Sequence, residues 1–82
     1  MSPTVFREQG YRFFFFSLEE QRIHVHVRSC DGEAKFWLEP DIRLAKNYRY
    51  SQEQLRRIQT IVEAHQDEFT SAWKKHFSHR GD

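Results

Sequence analysis

The residues of this chain best suited to chemistry lie in His24-Val25-His26-Val27-Arg28, two imidazoles and a guanidinium at alternate positions. Alternation along a strand places His24, His26 and Arg28 on one face and the two valines on the other. Histidines beside a cation can ligate metal, move protons near neutral pH or touch phosphate. For a metal, H-x-H needs a third ligand, and none of His65, Glu33 or His76 stands at a spacing that selects it; no metal or other cofactor is expected. For catalysis, His24 and His26 would serve as acid and base of a metal-independent ribonuclease-type reaction, with Arg28 or Lys35 stabilising the phosphorane charge. No serine or cysteine is flanked by a recognisable base. For binding, Arg28 and Lys35 supply phosphate-pairing charge, while His24, His26 and Trp37 offer flat rings for base stacking.

These residues are positioned by a hairpin. Asp31-Gly32 is a strong turn signal, and as the two loop residues they predict the pairs Cys30–Glu33, Arg28–Lys35, Val27–Phe36, His26–Trp37 and Val25–Leu38. Val25, Val27, Phe36 and Leu38 then share the core face, and His24, His26, Arg28, Lys35 and Trp37 share the other. Thr4–Glu8 and Tyr11–Ser17 form an earlier hairpin around Gln9-Gly10, rich in aromatic and β-branched residues. A two-residue turn there sets Arg7 against Arg12, a repulsion that a longer loop or an intervening anion would relieve. Phe13 and Phe15 point one way and Phe14 and Phe16 the other, so one apolar face needs a cover. A second helix, a homodimer partner or another protein would supply it. Pro40 ends the fourth strand, and Asp41–Lys46 reads as a short edge strand.

The second half is helical. Ser51 and Gln54 make a capping box, and Tyr50 can staple onto Leu55. Leu55, Ile58, Val62, Phe69, Trp73 and Phe77 recur at helical spacing with His65 between them. Ser51–Phe77 as one rod would be about 40 Å long at 1.5 Å per residue, too long for so small a sheet. A break near His65–Asp67 into two helices is expected, followed by a tail over 78–82. Lys74, Lys75, His76, His79 and Arg80 form a second basic group at that end. The chain thus reads as one α+β domain over 1–82: an antiparallel sheet of four or five strands, built from two consecutive hairpins over 4–38 or 4–45, packed by helical structure over 51–77.

Composition narrows the function classes. The 82 residues carry a net charge of only +1, so a nucleic-acid partner would need a local cationic patch. Aromatic residues make up 16% of the chain, which provides a core for so short a domain. The single Cys30 excludes an internal disulfide and suits a reducing compartment. Met1-Ser2-Pro3-Thr4 lacks the features of a signal peptide and Phe13–Phe16 is far too short to span a bilayer, so a cytoplasmic protein with no membrane contact is expected.

The segments Pro3-Thr4-Val5-Phe6, Gly10–Ser17, His24-Val25-His26-Val27 and Gly32–Pro40 resemble the bacterial family called domain of unknown function 4160. Leu44-Ala45-Lys46-Asn47, Ser51 and the Phe69, Trp73, Phe77 ladder extend the resemblance over nearly the whole chain. The family has no established biochemical activity. Its genes often lie beside a second small uncharacterised domain, which implies the product of a neighbouring gene as partner in a toxin–antitoxin-like or regulatory pair. Family members usually carry prolines directly before the H-x-H, where this chain has Arg22 and Ile23. The expected function is a non-enzymatic module that binds RNA, DNA or its partner protein through His24, His26, Arg28, Lys35 and Trp37; the alternative is the ribonuclease-type toxin.

Overall fold

In a computed structural model, which describes residues 4–15 and 22–78, the strand-forming half of the chain builds a single antiparallel sheet. Its strands are β1 (Thr4–Glu8), β2 (Tyr11–Phe14), β3 (His24–Ser29), β4 (Gly32–Trp37) and β5 (Arg43–Tyr48), in spatial order β1-β2-β3-β4-β5. Every neighbour in space is a neighbour in sequence, so the sheet is an up-and-down meander. Two helices follow, α1 (Gln52–Ala64) and α2 (Gln66–Ser78), giving the expected α+β fold.

Strand parity decides which face the helices cover. Tyr11, Phe13 and Phe15, Val25 and Val27, and Ala34, Phe36 and Leu38 are buried together with Leu55, Ile58, Ile61, Val62, Phe69 and Trp73. The Trp73 ring meets Phe15 edge-on at 5.2 Å, and the Phe69 ring lies 5.3 Å from Phe13.

The β3–β4 register departs from expectation by two places. The loop residues are Cys30 and Asp31, and the pairs are Ser29↔Gly32, Arg28↔Glu33, Val27↔Ala34, His26↔Lys35, Val25↔Phe36 and His24↔Trp37. Gly32 belongs to the ladder because β5 passes over it: a Cβ there would collide with the carbonyl oxygen of Tyr48. The buried Tyr50 hydroxyl donates to the Gly32 carbonyl at 2.9 Å and shares a 2.8 Å hydrogen bond with the Ser29 hydroxyl, clamping the closing pair. Burial raises the Tyr50 pKa, which keeps this hydroxyl protonated. A slip of two preserves parity, so the residues sharing each face are those expected although every partner changes.

Two other strands depart from their expected bounds. β5 runs two residues beyond the expected Asp41–Lys46, with Lys35↔Lys46 followed by Phe36↔Leu44, so Ala45 is an extra residue in the ladder. Arg49 then takes a left-handed conformation at φ 77°, bracketed by two hydrogen bonds between the Asn47 side chain and the Tyr50 backbone. β2 stops at Phe14; Phe16 and Ser17 lie outside the described residues, as do residues 79–82 of the expected tail.

The helical half follows its caps. Gln54 N–H donates to the Ser51 hydroxyl at 3.1 Å, and Ser51 N–H to the Gln54 side chain at 2.9 Å. Helix α1 ends at His65, whose φ of −119° leaves the helical region, and α2 restarts at Gln66. Gln66 then donates to the Leu38 carbonyl at 3.2 Å, tying the restart to the end of β4. Among the described residues, no helix is long and apolar enough to cross a membrane.

Trp73 is 7% exposed and packs α2 against Phe15, just past β2, and against His24 of β3. Trp73→Ala is expected to cost about 3–5 kcal/mol, close to the whole stability of a domain this size. Urea unfolding followed by circular dichroism checks this, and an unchanged midpoint would show that the ring is not part of the core.

Candidate functional site

With the helices on one face, the other face of the sheet presents three cross-strand rows. Arg7, Arg12, Arg28, Glu33 and Tyr48 form the first, following the pairs Arg7↔Arg12, Arg12↔Arg28, Arg28↔Glu33 and Glu33↔Tyr48. Phe14, His26, Lys35 and Lys46 form the second, and His24, Trp37 and Arg43 the third. Rows lie roughly 6.8 Å apart along the strands, with neighbouring residues in a row about 4.8 Å apart.

Like charges face each other here three times: Arg7 across Arg12, Arg12 across Arg28, and Lys35 across Lys46. The juxtaposition of Arg7 and Arg12 expected of a two-residue turn is present, because the turn is the tight one. Gln9 and Gly10 both take positive φ, 55° and 85°, as a turn matched to strand twist requires. Glu33 is the one carboxylate of the first two rows. It binds Arg28 through Nη2 at 2.6 Å and Nε at 2.8 Å, an exposed pair worth little in stability.

Aromatic rings lie under the cations. The Arg12 guanidinium sits 4.7 Å from the Phe14 ring centre and that of Arg28 6.0 Å, while His26 stacks on the same ring at 5.5 Å. Phe14 is therefore only 3% exposed, and the outward face of the aromatic strand is covered at Phe14 from within the chain. Trp37 carries the Arg22 guanidinium at 4.3 Å and the Lys35 ammonium at 4.5 Å. Arg22 also donates to the Glu39 carbonyl at 3.1 Å.

Of the five residues expected to form the site, His26, Arg28, Lys35 and Trp37 stand together on this face. His24 does not share their access. It is wholly buried, ringed by His26 at 5.0 Å, Trp37 at 5.5 Å and Trp73 at 5.0 Å, with Nδ1 2.8 Å from the Arg22 carbonyl oxygen. Alternation gave its face, but Trp73, remote in sequence, closes over the end of the strand. An acid–base pair of His24 and His26 thus has one member out of reach of substrate. Arg7, Arg12, Lys46 and Tyr48 were missed as site residues. The Arg7–Arg12 juxtaposition, with room for an anion between, was the one signal available for the first two; for Lys46 and Tyr48 the β4–β5 register was missing.

His65, a candidate third ligand for the H-x-H, lies elsewhere. Its Nδ1 is 2.7 Å from a Glu68 oxygen, its Nε2 3.4 Å from a Glu8 oxygen, and its ring 4.3 Å from that of Phe6. The side chains of His76 and of the expected basic tail, His79 and Arg80, lie outside the described residues. The described residues contain no group of three side chains able to hold a metal ion.

A family model described as Domain of unknown function (DUF4160) matches residues 10–74. The chain belongs to this family. No curated protein and no solved structure matches it. The matched span includes β2 through most of α2, and so every strand of the cationic face except β1. Arg7 is the one cation of the first two rows outside the DUF4160 match.

The hydrogen bond to Glu68 raises the His65 pKa against the effect of partial burial, helped by the charges of Glu68 and Glu8. A folded-state pKa above the unfolded one, near 6.5, gives stability that is complete below that value and lost as pH rises through the raised value. Between about pH 6 and about pH 8.5, wild type should therefore lose more stability than Glu68→Gln, compared by urea midpoints. Parallel losses in the two proteins would mean that His65 is not linked to folding.

Proposed function

We propose that this DUF4160 chain is a non-enzymatic module that binds single-stranded nucleic acid, RNA in the first instance, on its open sheet face. The carrying observation is the alignment of cation against cation across Arg7, Arg12 and Arg28, and again across Lys35 and Lys46. Like charges set directly opposite each other disfavour the pairing, and a bound polyanion would turn that juxtaposition into favourable contacts. The whole chain is nearly neutral, so the charge is concentrated here rather than spread. A flat face with aromatic rings beneath its cations suits a strand whose bases are unstacked and whose phosphates are spaced along it. Phosphate contacts of this kind fix position without reading sequence, so broad sequence tolerance is expected. In a two-gene toxin–antitoxin-like or regulatory pair, the module would supply the nucleic-acid contact and the neighbouring gene product the remaining activity. The burial of His24 weighs against the ribonuclease-type alternative.

Fluorescence anisotropy with a labelled single-stranded RNA, repeated over a range of salt, tests the reading. Binding should weaken with salt, with a log–log slope of about −0.7 for each phosphate neutralised, and Arg28→Gln should flatten that slope by about 0.7. Its melting temperature should stay near wild type, since the Arg28–Glu33 pair is exposed. Undetectable RNA binding together with a complex with the neighbouring gene product would replace this reading by protein recognition. Cleaved RNA in the same tube would restore the toxin.

A further inference from the structure

On the β4–β5 side of the open face, a groove of about 470 Å³ is lined by His26, Glu33, Lys35, Lys46 and Tyr48, together with Ala34 and Asn47. That volume falls within the range of small-molecule sites. Resting on the nucleic-acid reading, we infer that this groove holds one nucleotide unit, a nucleoside monophosphate moiety either within a strand or free.

Its chemistry is divided along the groove. Lys35 and Lys46 face each other across the strand pair, with His26 next in the same row, so one side offers cationic donors to a phosphate. One row away, Tyr48 is 65% exposed, with the largest open ring among the described residues. It sits on the edge strand directly across from Glu33. Stacking of a base on such a ring is tolerant of sequence and desolvates both faces in contact. The distance between rows, roughly 6.8 Å, separates the phosphate position from the base position by about the reach of a nucleoside. Glu33 adds a carboxylate at the base end. Its charge is balanced by Arg28, and its oxygens can accept a hydrogen bond from an exocyclic amino group, so adenine, cytosine and guanine, which carry one, are favoured over uracil. The edge position of β5 leaves the groove open along one side, which lets a strand continue through it in either direction.

The test measures binding of labelled oligo(A), oligo(U) and a heparin oligosaccharide, a polyanion without bases, to wild type, Tyr48→Ala and Lys46→Gln. Both substituted side chains are exposed, and unchanged thermal melts confirm that the variants fold. Tyr48→Ala should weaken oligo(A) about tenfold and leave heparin unaffected, as loss of one stacked base requires. Lys46→Gln should weaken both, and wild type should prefer oligo(A) to oligo(U). Competition by adenosine monophosphate at millimolar concentration identifies a site for the free nucleotide, and no competition identifies a site for a unit within a strand. Tight oligo(A) binding that is equal in wild type and Tyr48→Ala would overturn the groove while leaving the cationic face in place. Failure of wild type to bind any oligonucleotide at low salt would overturn both.

Discussion

The close approach of the Tyr48 carbonyl to Gly32 is the contact on which the geometry of this protein turns. Only a residue without a Cβ fits beneath that oxygen, so Gly32 must lie in the ladder and the β3–β4 turn must close one residue earlier, on Cys30-Asp31. The Tyr50 hydroxyl then bonds to both members of the closing pair, Ser29 and Gly32. From that clamp the register propagates in both directions. It sets Arg28 against Glu33 rather than Lys35, and Lys35 against Lys46, and thereby writes the pattern of charge on the open face. The same Tyr50 precedes the Ser51 cap, so the junction that fixes the sheet also fixes where the first helix begins.

Once the helices occupy one face, the other must remain compatible with water, and the chain achieves this by laying cations over rings. Phe14 and Trp37 stand on the solvent side, yet Arg12, Arg28 and His26 cover the first while Arg22 and Lys35 approach the second. Arginine stacks readily on aromatic faces and keeps hydrogen-bond donors free at its edge, so the cover of an apolar ring and the presentation of positive charge are one device. Arg22 adds to it at the entrance to β3. The opposite end of the domain is organised differently, with His65 joining the helix break to β1 through Glu8 and Glu68.

Much of this was legible in the chain. The alternation of His24, Val25, His26 and Val27 against Phe36 and Trp37 separates the two faces whatever the exact pairing, because the side-chain period of a strand is two and the slip was two. The Ser51–Gln54 box placed the start of α1, and the length of the helical run demanded a break that falls at His65, where it was expected. Less accessible was the fate of His24. Its position in the H-x-H pattern is the same as that of His26, but Trp73 lies 49 positions later in the chain and buries one imidazole and not the other. Nor could a reading of single strands find the arginine row, since Arg7, Arg12 and Arg28 become neighbours only when three strands are aligned.

The sequence by itself determined the fold class, the succession of two hairpins and then helical structure, and the membership of the two faces of β3 and β4, because these follow from local periodicity, turn residues and caps. Tertiary structure decided the cross-strand partners, the burial of His24 and the groove ending at Tyr48. These depend on backbones and side chains distant in sequence coming within a few ångströms of one another, and a single methyl group at position 32 is enough to forbid the arrangement.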